Sequence, residues 1–281
     1  MLTAALGLHL PAAAMGRGRM RVLGAAGAIV TLVAILATGT RGAMLASAGL
    51  VVLVGGVAAV RMVRAGGLRR RGVLVSVVIV ALAVVGAGVV MGPRVARRFD
   101  AAWGDLERAI EHKDFFTDTG GRLLMGWKGI EATGEHPLIG VGVGGYKRWC
   151  HADLERQGID PADRNIHAHA HNAYIHAASS FGLPALVAAL AVLLSALAGG
   201  LSAGIDVTRP RERGRLDLGS YDAGPACAIV GLMMVGMFDP IITNVQTCAL
   251  LCALLGLCVM PRPSQKKGLT TEAQRAEEPR T

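Results

Sequence analysis

Charged residues are missing from long stretches of this sequence. Residues 73–93, 173–205 and 240–261 contain no Asp, Glu, Lys or Arg, and crossing a bilayer requires about 20 consecutive, mainly apolar residues. Aromatic residues are also scarce, at 4% of the chain, although 52% of all residues are hydrophobic. A soluble globular protein and a disordered chain are therefore excluded, and we expect an all-α, polytopic helical membrane protein.

Cysteine is scarce too, and its five positions lack the spacing of a metal site. Cys150 lies in a hydrophilic central segment, whereas the other four lie in apolar stretches: Cys227, Cys248, Cys252 and Cys258. Free cysteine packs like a small apolar side chain, and a single cysteine on the oxidising side of a membrane forms no disulfide scaffold. We expect packing roles for all five, with no metal and no cofactor.

The apolar stretches predict the organisation of the chain. Residues 1–91 are expected to hold membrane spans at about 22–39, 43–60 and 73–91, after a partial or interfacial segment at 2–15 that Pro11 interrupts. Residues 173–261 are expected to hold spans at about 181–201, 223–238 and 241–260. Between them lies a large extracytoplasmic loop, 92–172, containing short helices. Residues 262–281 form a cytoplasmic tail that we expect to be disordered.

Arginine clusters predict the orientation of these spans. They lie at residues 17–21, 61–71 and 209–215, and Lys and Arg in short loops stay on the cytoplasmic side. Alternation of the spans then places the loop 92–172, the turn at Arg41 and the turn at Asp239 outside. This topology explains most of the net charge of +9, so no nucleic-acid partner is expected.

Histidines are concentrated in the sequence NIHAHAHNAYIHAASSFG, directly before the span at 181–201. The set comprises His167, His169, His171 and His176, with Asn172 beside the third. Histidine changes charge near neutral pH and acts as a general base where a proton must leave a hydroxyl group. Two alternatives stand beside this interpretation. Alternating histidines on one face of an extended strand can bind zinc, and histidines at a membrane surface can simply face the headgroups.

Two arginines in the external segments are candidates for binding an anion. Arg41, in ATGTRGAMLA, is flanked by small residues and uncharged sequence. A charge at such a place usually marks a ligand or ion site, although snorkelling to the headgroups is the alternative. Arg122 begins a segment that predicts an amphipathic helix on the membrane surface, with apolar residues at helical spacing: Leu123, Leu124, Trp127 and Ile130. The two guanidinium groups together can grip a diphosphate.

Three segments resemble motifs of the O-antigen ligase and polymerase superfamily of bacterial membrane glycosyltransferases. The first is TGTRGAMLA, similar to a turn of a small residue, Arg and Gly between two spans. The second, GRLLMGWKGIEATGEHPLIGVGVGGYKR, resembles a segment with an arginine, a tryptophan and then His-Pro-Leu-Ile-Gly-Val-Gly. The third is similar to His-Asn followed by nine residues and a glycine, here His171, Asn172 and Gly182.

The resemblance implies a multi-pass enzyme of the bacterial inner membrane that moves a glycan from undecaprenyl diphosphate to an acceptor hydroxyl, in cell-surface polysaccharide and lipopolysaccharide biosynthesis. Its partners would be the polyprenyl-diphosphate-linked glycan donor, a lipid or glycan acceptor, and membrane lipids. The implied catalytic residues are His171, Arg122 and Arg41, in a metal-independent and inverting reaction. Residues expected to contact substrate are Asn172, His169, Lys147, Arg148 and Asp239.

Two alternatives to a ligase-like enzyme stay open. One is a polysaccharide polymerase of the same superfamily, and the other is a truncated, non-catalytic membrane protein. The six or seven spans predicted here are fewer than the ten or more that the resemblance implies. We therefore expect the N-terminal spans of the superfamily to be missing from this chain.

Overall fold

A computed structural model describes residues 1–16, 18–64, 92–93, 96–158, 167–205 and 223–259. These residues form helices joined by turns, and no strand occurs among them, in agreement with the predicted all-α class. The predicted span at 73–91, the tail at 262–281 and the arginines at 69–71 and 209–215 lie outside the described residues.

Two helices in the described part of the chain are long and apolar enough to cross a membrane, by length and composition. They are α2, Gly18–Thr38, and α3, Arg41–Arg64, and they cover the expected spans at 22–39 and 43–60. The turn between them depends on Gly39, whose φ of +64° is a left-handed conformation that glycine adopts without steric cost.

The central segment contributes a helical stretch at 96–111 and three helices. These are α4, Asp118–Glu135, α5, Gly145–Arg156, and α6, Ala173–Phe181. They pack around a small core of their own: Met125, Tyr146, Cys150, Leu154 and Ala170. Burial raises the pKa of the Cys150 thiol to about 11, so this cysteine packs as a neutral side chain, as its sequence context predicts.

The C-terminal helices are α7, Leu183–Ile205, α8, Gly224–Gly236, and α9, Val245–Val259, with a 3-10 turn at Ile241–Thr243 before the last. They are apolar, and α9 packs against both α7 and α8. The described apolar parts of these helices are shorter than a full bilayer crossing. A multi-pass topology therefore stays a prediction.

In the first segment, residues Leu2–Met15 form one helix, α1, and Pro11 lies inside it without ending it. This helix is shorter than a full bilayer crossing. It packs against α2, α3 and α8, and it buries Leu6 and Leu10 in a core with Ile35 and Leu50.

Candidate active site

The N-terminal turn of α4 places Arg122 at an accessible position. Thr117 caps the helix, because its hydroxyl oxygen accepts a hydrogen bond from the Gly120 N–H at 3.0 Å. Asp118 lies in the first turn, and the Nε of Arg122 is 3.4 Å from its Oδ1. Both side chains are exposed, so the pair is worth at most about 1 kcal/mol. The Arg122 guanidinium group therefore stays available to a ligand.

Arg41 reaches the same end of α4 from the start of α3. Its Nη1 donates to the Thr119 hydroxyl oxygen at 3.4 Å, and Thr119 and Arg122, three residues apart, share one side of α4. Gly42, the next residue in α3, packs so closely on Phe238 that a Cβ at position 42 would lie 2.7 Å from the Phe238 Cβ. The Arg41 turn is thus held between α4 and the turn after α8.

Three histidines meet directly before α6. The ring centroids are 4.5 Å apart for His169 and His171, 4.8 Å for His167 and His171, and 5.9 Å for His167 and His169. His171 has a φ of +52°, an uncommon conformation for a residue other than glycine. Its Nε2 is buried and has no hydrogen-bond partner within the described residues, so this atom is not committed to another group.

The histidines do not form the extended strand that the zinc alternative assumed. Residues 167–172 are a series of bends. Within the described part of the chain, no group of three His, Cys, Asp or Glu side chains is arranged to hold a metal ion. His167, His169 and His171 instead form a histidine cluster in which the rings contact one another.

The surroundings of His171 keep its imidazole neutral. Burial, followed by the charges of His169 and Arg122, lowers the pKa of His171 to about 4, and Asp118 acts in the opposite direction. Burial also lowers the pKa of His169, which Asp239 partly offsets. Because Arg122 and Asp118 influence His171, the N-terminus of α4 lies beside the histidine cluster. Arg41, Arg122 and His171 are thereby brought to one region of the molecule.

Asn172 uses both ends of its amide group to hold this region together. Its Oδ1 accepts the N–H groups of Tyr174 at 2.9 Å and Ile175 at 3.0 Å, which caps α6. Its Nδ2 donates to the Met237 carbonyl oxygen at 3.0 Å. In this arrangement Asn172 positions His171, its neighbour in the chain, and ties it to the turn after α8.

The other expected contact residues lie at different distances from the cluster. Asp239 is exposed in the turn after α8, on the side of the histidines. Lys147 and Arg148 are exposed on α5. The residue of α5 that reaches the histidines is Tyr146, which is fully buried and meets the His176 ring edge-on at 5.6 Å.

A backbone clamp joins the HPLIG turn after α4 to the junction of α6 and α7. Three hydrogen bonds form it: Val141 N–H to the Ser179 carbonyl at 2.8 Å, Gly142 N–H to the Ser180 carbonyl at 3.0 Å, and Leu183 N–H to the Pro137 carbonyl at 2.8 Å. Gly140 and Gly182 have φ angles of +65° and +85°. A Cβ at either position would overlap the backbone of the opposite segment. Two of the sequence motifs therefore meet in one contact that only glycine permits.

An open apolar groove of about 430 Å³ lies beside this clamp, between α4 and the α6–α7 junction. Its lining includes Ile130, Pro137, Tyr174, Ile175, Leu183 and Leu186. Tyr174 and Ile175 follow His171 by three and four residues, so two lining residues of the groove are close in sequence to the histidine cluster.

A buried ion pair in the central segment was missed by the sequence reasoning. The Nζ of Lys128 lies 2.5 Å from the Asp153 Oδ2 and 2.7 Å from the Glu131 Oε2, and the lysine side chain is only 4% exposed. This pair links α4 to α5 behind the histidine cluster. A signal was present, because Lys128 follows the buried Met125 by three residues and precedes the buried Ala132 by four.

The described residues define an all-helical protein with two helices long and apolar enough to cross a membrane, and with arginines and histidines at the ends of its helices. A comparison with protein families identifies the group more closely. The family model described as O-antigen ligase matches residues 26–190, which is more than half of the chain. The chain belongs to this family, whose members are bacterial inner-membrane proteins with glycosyltransferase-type activity on lipid-linked glycans. No curated protein matches the chain.

Proposed function

We propose that this protein transfers a glycan from undecaprenyl diphosphate to an acceptor hydroxyl at the outer face of the inner membrane, as an O-antigen ligase-like enzyme. The observation that supports the proposal is that Arg41 contacts Thr119 at the N-terminus of α4, while the charges of Arg122 and Asp118 at the same helix end act on His171. These residues belong to three separate segments of the chain, and none is required there by the packing of a hydrophobic core.

In this reaction the arginines stabilise the leaving diphosphate. When the bond between the anomeric carbon and the phosphate oxygen breaks, its electron pair stays on the diphosphate, which gains negative charge. Fixed cations stabilise such a transition state best when they are already in place. Arg41 is held by Thr119, and Arg122 lies one turn further along α4 with an exposed guanidinium group. Their planar groups match phosphate oxygens.

His171 supplies the base. The acceptor hydroxyl attacks the anomeric carbon from the side opposite the diphosphate, and its proton passes to the imidazole. Because the pKa of His171 is about 4 in the free protein, the imidazole is neutral at pH 7. A bound diphosphate adds negative charge nearby and raises this pKa, which strengthens the base when the substrate is present. One displacement inverts the anomeric centre, and no metal ion takes part.

The apolar groove suits the lipid part of the donor. It has apolar walls, opens to the surface and includes residues close in sequence to His171. The neighbouring surface is apolar as well, with Trp127 61% exposed, Leu138 72% exposed and Ile139 79% exposed. A prenyl chain lying in the groove would leave its diphosphate at the polar end, towards the arginines. The exposed apolar residues would then rest in the outer leaflet.

A transfer assay with membranes containing the protein and a polyprenyl-diphosphate-linked glycan tests the proposal. We expect His171→Ala and Arg122→Ala to lower the transfer rate at least 100-fold, since each removes a group that acts in the transition state. His112→Ala is the matched control, because His112 is exposed at the end of the 96–111 helix. Wild-type turnover in either site variant, at equal protein abundance, would refute the assignment.

A further inference from the structure

A third arginine, Arg98, lies on the turn that carries Arg41. Its Nη1 donates to the Gly39 carbonyl oxygen at 2.6 Å, and its side chain is otherwise exposed. The contact is broad. A Cβ at position 39 would lie 3.0 Å from the Arg98 Cζ, 3.1 Å from Nη1 and 3.3 Å from Nη2. The guanidinium group therefore lies flat against Gly39, two residues from Arg41.

One face of the 96–111 helix contacts both the α2–α3 turn and the N-terminus of α4. Asp105 follows Arg98 by seven residues, two helical turns, and so lies on the same face. The Thr119 N–H, at the N-terminus of α4, donates to the Asp105 Oδ2 at 3.4 Å. This helix thus contacts the α2–α3 turn at one end and the start of α4 at the other. The Arg41 side chain connects the same two elements, because it extends from the α2–α3 turn to the Thr119 hydroxyl group.

The acidic residues nearby do not neutralise Arg98. The Asp105 Oδ1 pairs with the Arg108 Nη2 at 2.7 Å, and Asp118 pairs with Arg122. The hydrogen-bond partner of Arg98 in the described part of the chain is a neutral carbonyl group. Its positive charge and its remaining N–H donors are therefore available to an anion at the Arg41 side of the site.

The leaving diphosphate gains negative charge that a third cation, Arg98, can stabilise. A glycosyl diphosphate diester carries one negative charge on each phosphate, and departure of the sugar leaves a terminal phosphate monoester with more negative charge. Two arginines balance the bound donor, and a third balances the charge that appears only as the bond breaks. Interactions that strengthen in the transition state accelerate the reaction, whereas uniform binding does not.

We propose that Arg98 is a third diphosphate-binding residue, which stabilises the leaving diphosphate from the side of the α2–α3 turn. This inference rests on the proposed function, because it takes the diphosphate of the donor as the ligand. The structural feature behind it is the stacking of the Arg98 guanidinium group on Gly39, beside Arg41.

Calorimetry of inorganic diphosphate binding to the purified full-length protein tests whether the positive charge of Arg98 contributes to the affinity. We expect Arg98→Ala to weaken binding about 10-fold, the loss of one charge-assisted hydrogen bond, and to make the affinity less sensitive to salt. Arg98→Lys keeps the charge and should lose less affinity. The control is Arg97→Ala, because Arg97 is also exposed and its Nε bonds the Pro93 carbonyl oxygen at 3.1 Å instead; its affinity should stay within 2-fold of the wild type.

Kinetics with the lipid-linked donor give a second measurement. Arg98→Ala should lower kcat more than it raises KM, since its charge acts mainly on the departing diphosphate. Unchanged diphosphate binding in Arg98→Ala, with binding lost in Arg41→Ala and Arg122→Ala, would overturn the inference and leave the proposed function intact. No diphosphate binding by the wild type, or equal binding by all the arginine variants, would overturn both. A fall in affinity for Arg97→Ala as large as that for Arg98→Ala would also overturn the inference, because the effect would then be general.

Discussion

At the scale of single residues, the site depends on His171 being neutral in the free protein. Burial, and after it the charges of His169, Arg122 and His167, lower its pKa to about 4. A base with so low a pKa is weak, but in the proposed mechanism the negative charge of a diphosphate bound at Arg41 and Arg122 raises this pKa. In this mechanism the donor's diphosphate is therefore the leaving group and also the group that raises the pKa of His171.

The pH dependence of the rate follows from this arrangement. Protonation of His171 in the free protein begins only as the pH approaches 4, so kcat/KM should show no loss from His171 between pH 7 and pH 5. The acidic limb of kcat should lie at higher pH, because bound diphosphate raises the pKa of the imidazole. Rates measured from about pH 3 to pH 8 give both limbs. A limb in kcat/KM near 6.5, the ordinary histidine value, would contradict this account.

Asn172 and Arg98 show what residue patterns can and cannot reveal. The His-Asn pair indicated a functional position, but its sequence does not disclose that both ends of the amide bond backbone groups. Arg98 lies among several arginines with nothing to distinguish it. Its role depends on a turn almost sixty residues earlier in the chain, and such a contact leaves no local periodicity.

At the scale of elements, the backbone clamp between the HPLIG turn and the α6–α7 junction determines where α6 ends. Gly182 has a left-handed φ, and its Cα faces the backbone of Leu138 and Ile139. Side chains contribute little to this contact, so substitutions of the exposed Leu138 side chain should matter less than any change at the glycines.

Adding one methyl group at Gly182 tests whether the backbone clamp stabilises the fold. Gly182→Ala should lower the free energy of unfolding by about 2 kcal/mol or more, because it adds backbone strain and an overlap with the Leu138 carbonyl. Thermal unfolding in detergent measures the effect. Gly134→Ala is the control: this glycine lies in α4 with open space around it, and alanine there should leave stability unchanged or raise it by up to about 1 kcal/mol. Equal melting temperatures for the two variants would rule out a structural clamp.

Elements with strong apolar patterns were the predictable part of the fold. The predicted spans at 22–39 and 43–60 coincide with α2 and α3, whose uninterrupted apolar runs leave few alternatives. The packing of the first segment was not predictable, because the burial of Leu6 and Leu10 depends on partners elsewhere in the chain. The ion pair of Lys128 could not be predicted either, because its partner Asp153 is distant in sequence.

At the scale of the whole molecule, three segments far apart in the chain supply the site. Arg41 comes from α3, Arg122 from α4 and His171 from the segment before α6; Arg41 contacts the N-terminus of α4, and the charge of Arg122 acts on His171. In the proposed mechanism, guanidinium groups provide the positive charge that carboxylate-bound metal ions supply in other transferases.

Chelation tests this property of the complete protein. Glycan transfer should keep its full rate after treatment with EDTA and removal of the chelated ions, because arginines stabilise the leaving group and the histidine cluster is not arranged to hold a metal ion. The assay should be repeated after adding back Mg²⁺ or Zn²⁺. Loss of transfer on chelation, with recovery on adding one ion, would favour the zinc alternative.

The three hydrogen bonds of Asn172 make the position of the turn after α8 dependent on one amide group. Hydrolysis of this amide to a carboxylate keeps the oxygen that caps α6 but removes the N–H donor to the Met237 carbonyl. Two oxygens would then face each other at about 3 Å, and their repulsion would push the turn after α8 away from His171. A deamidated chain would thus keep the cap of α6 and lose the contact that ties His171 to that turn.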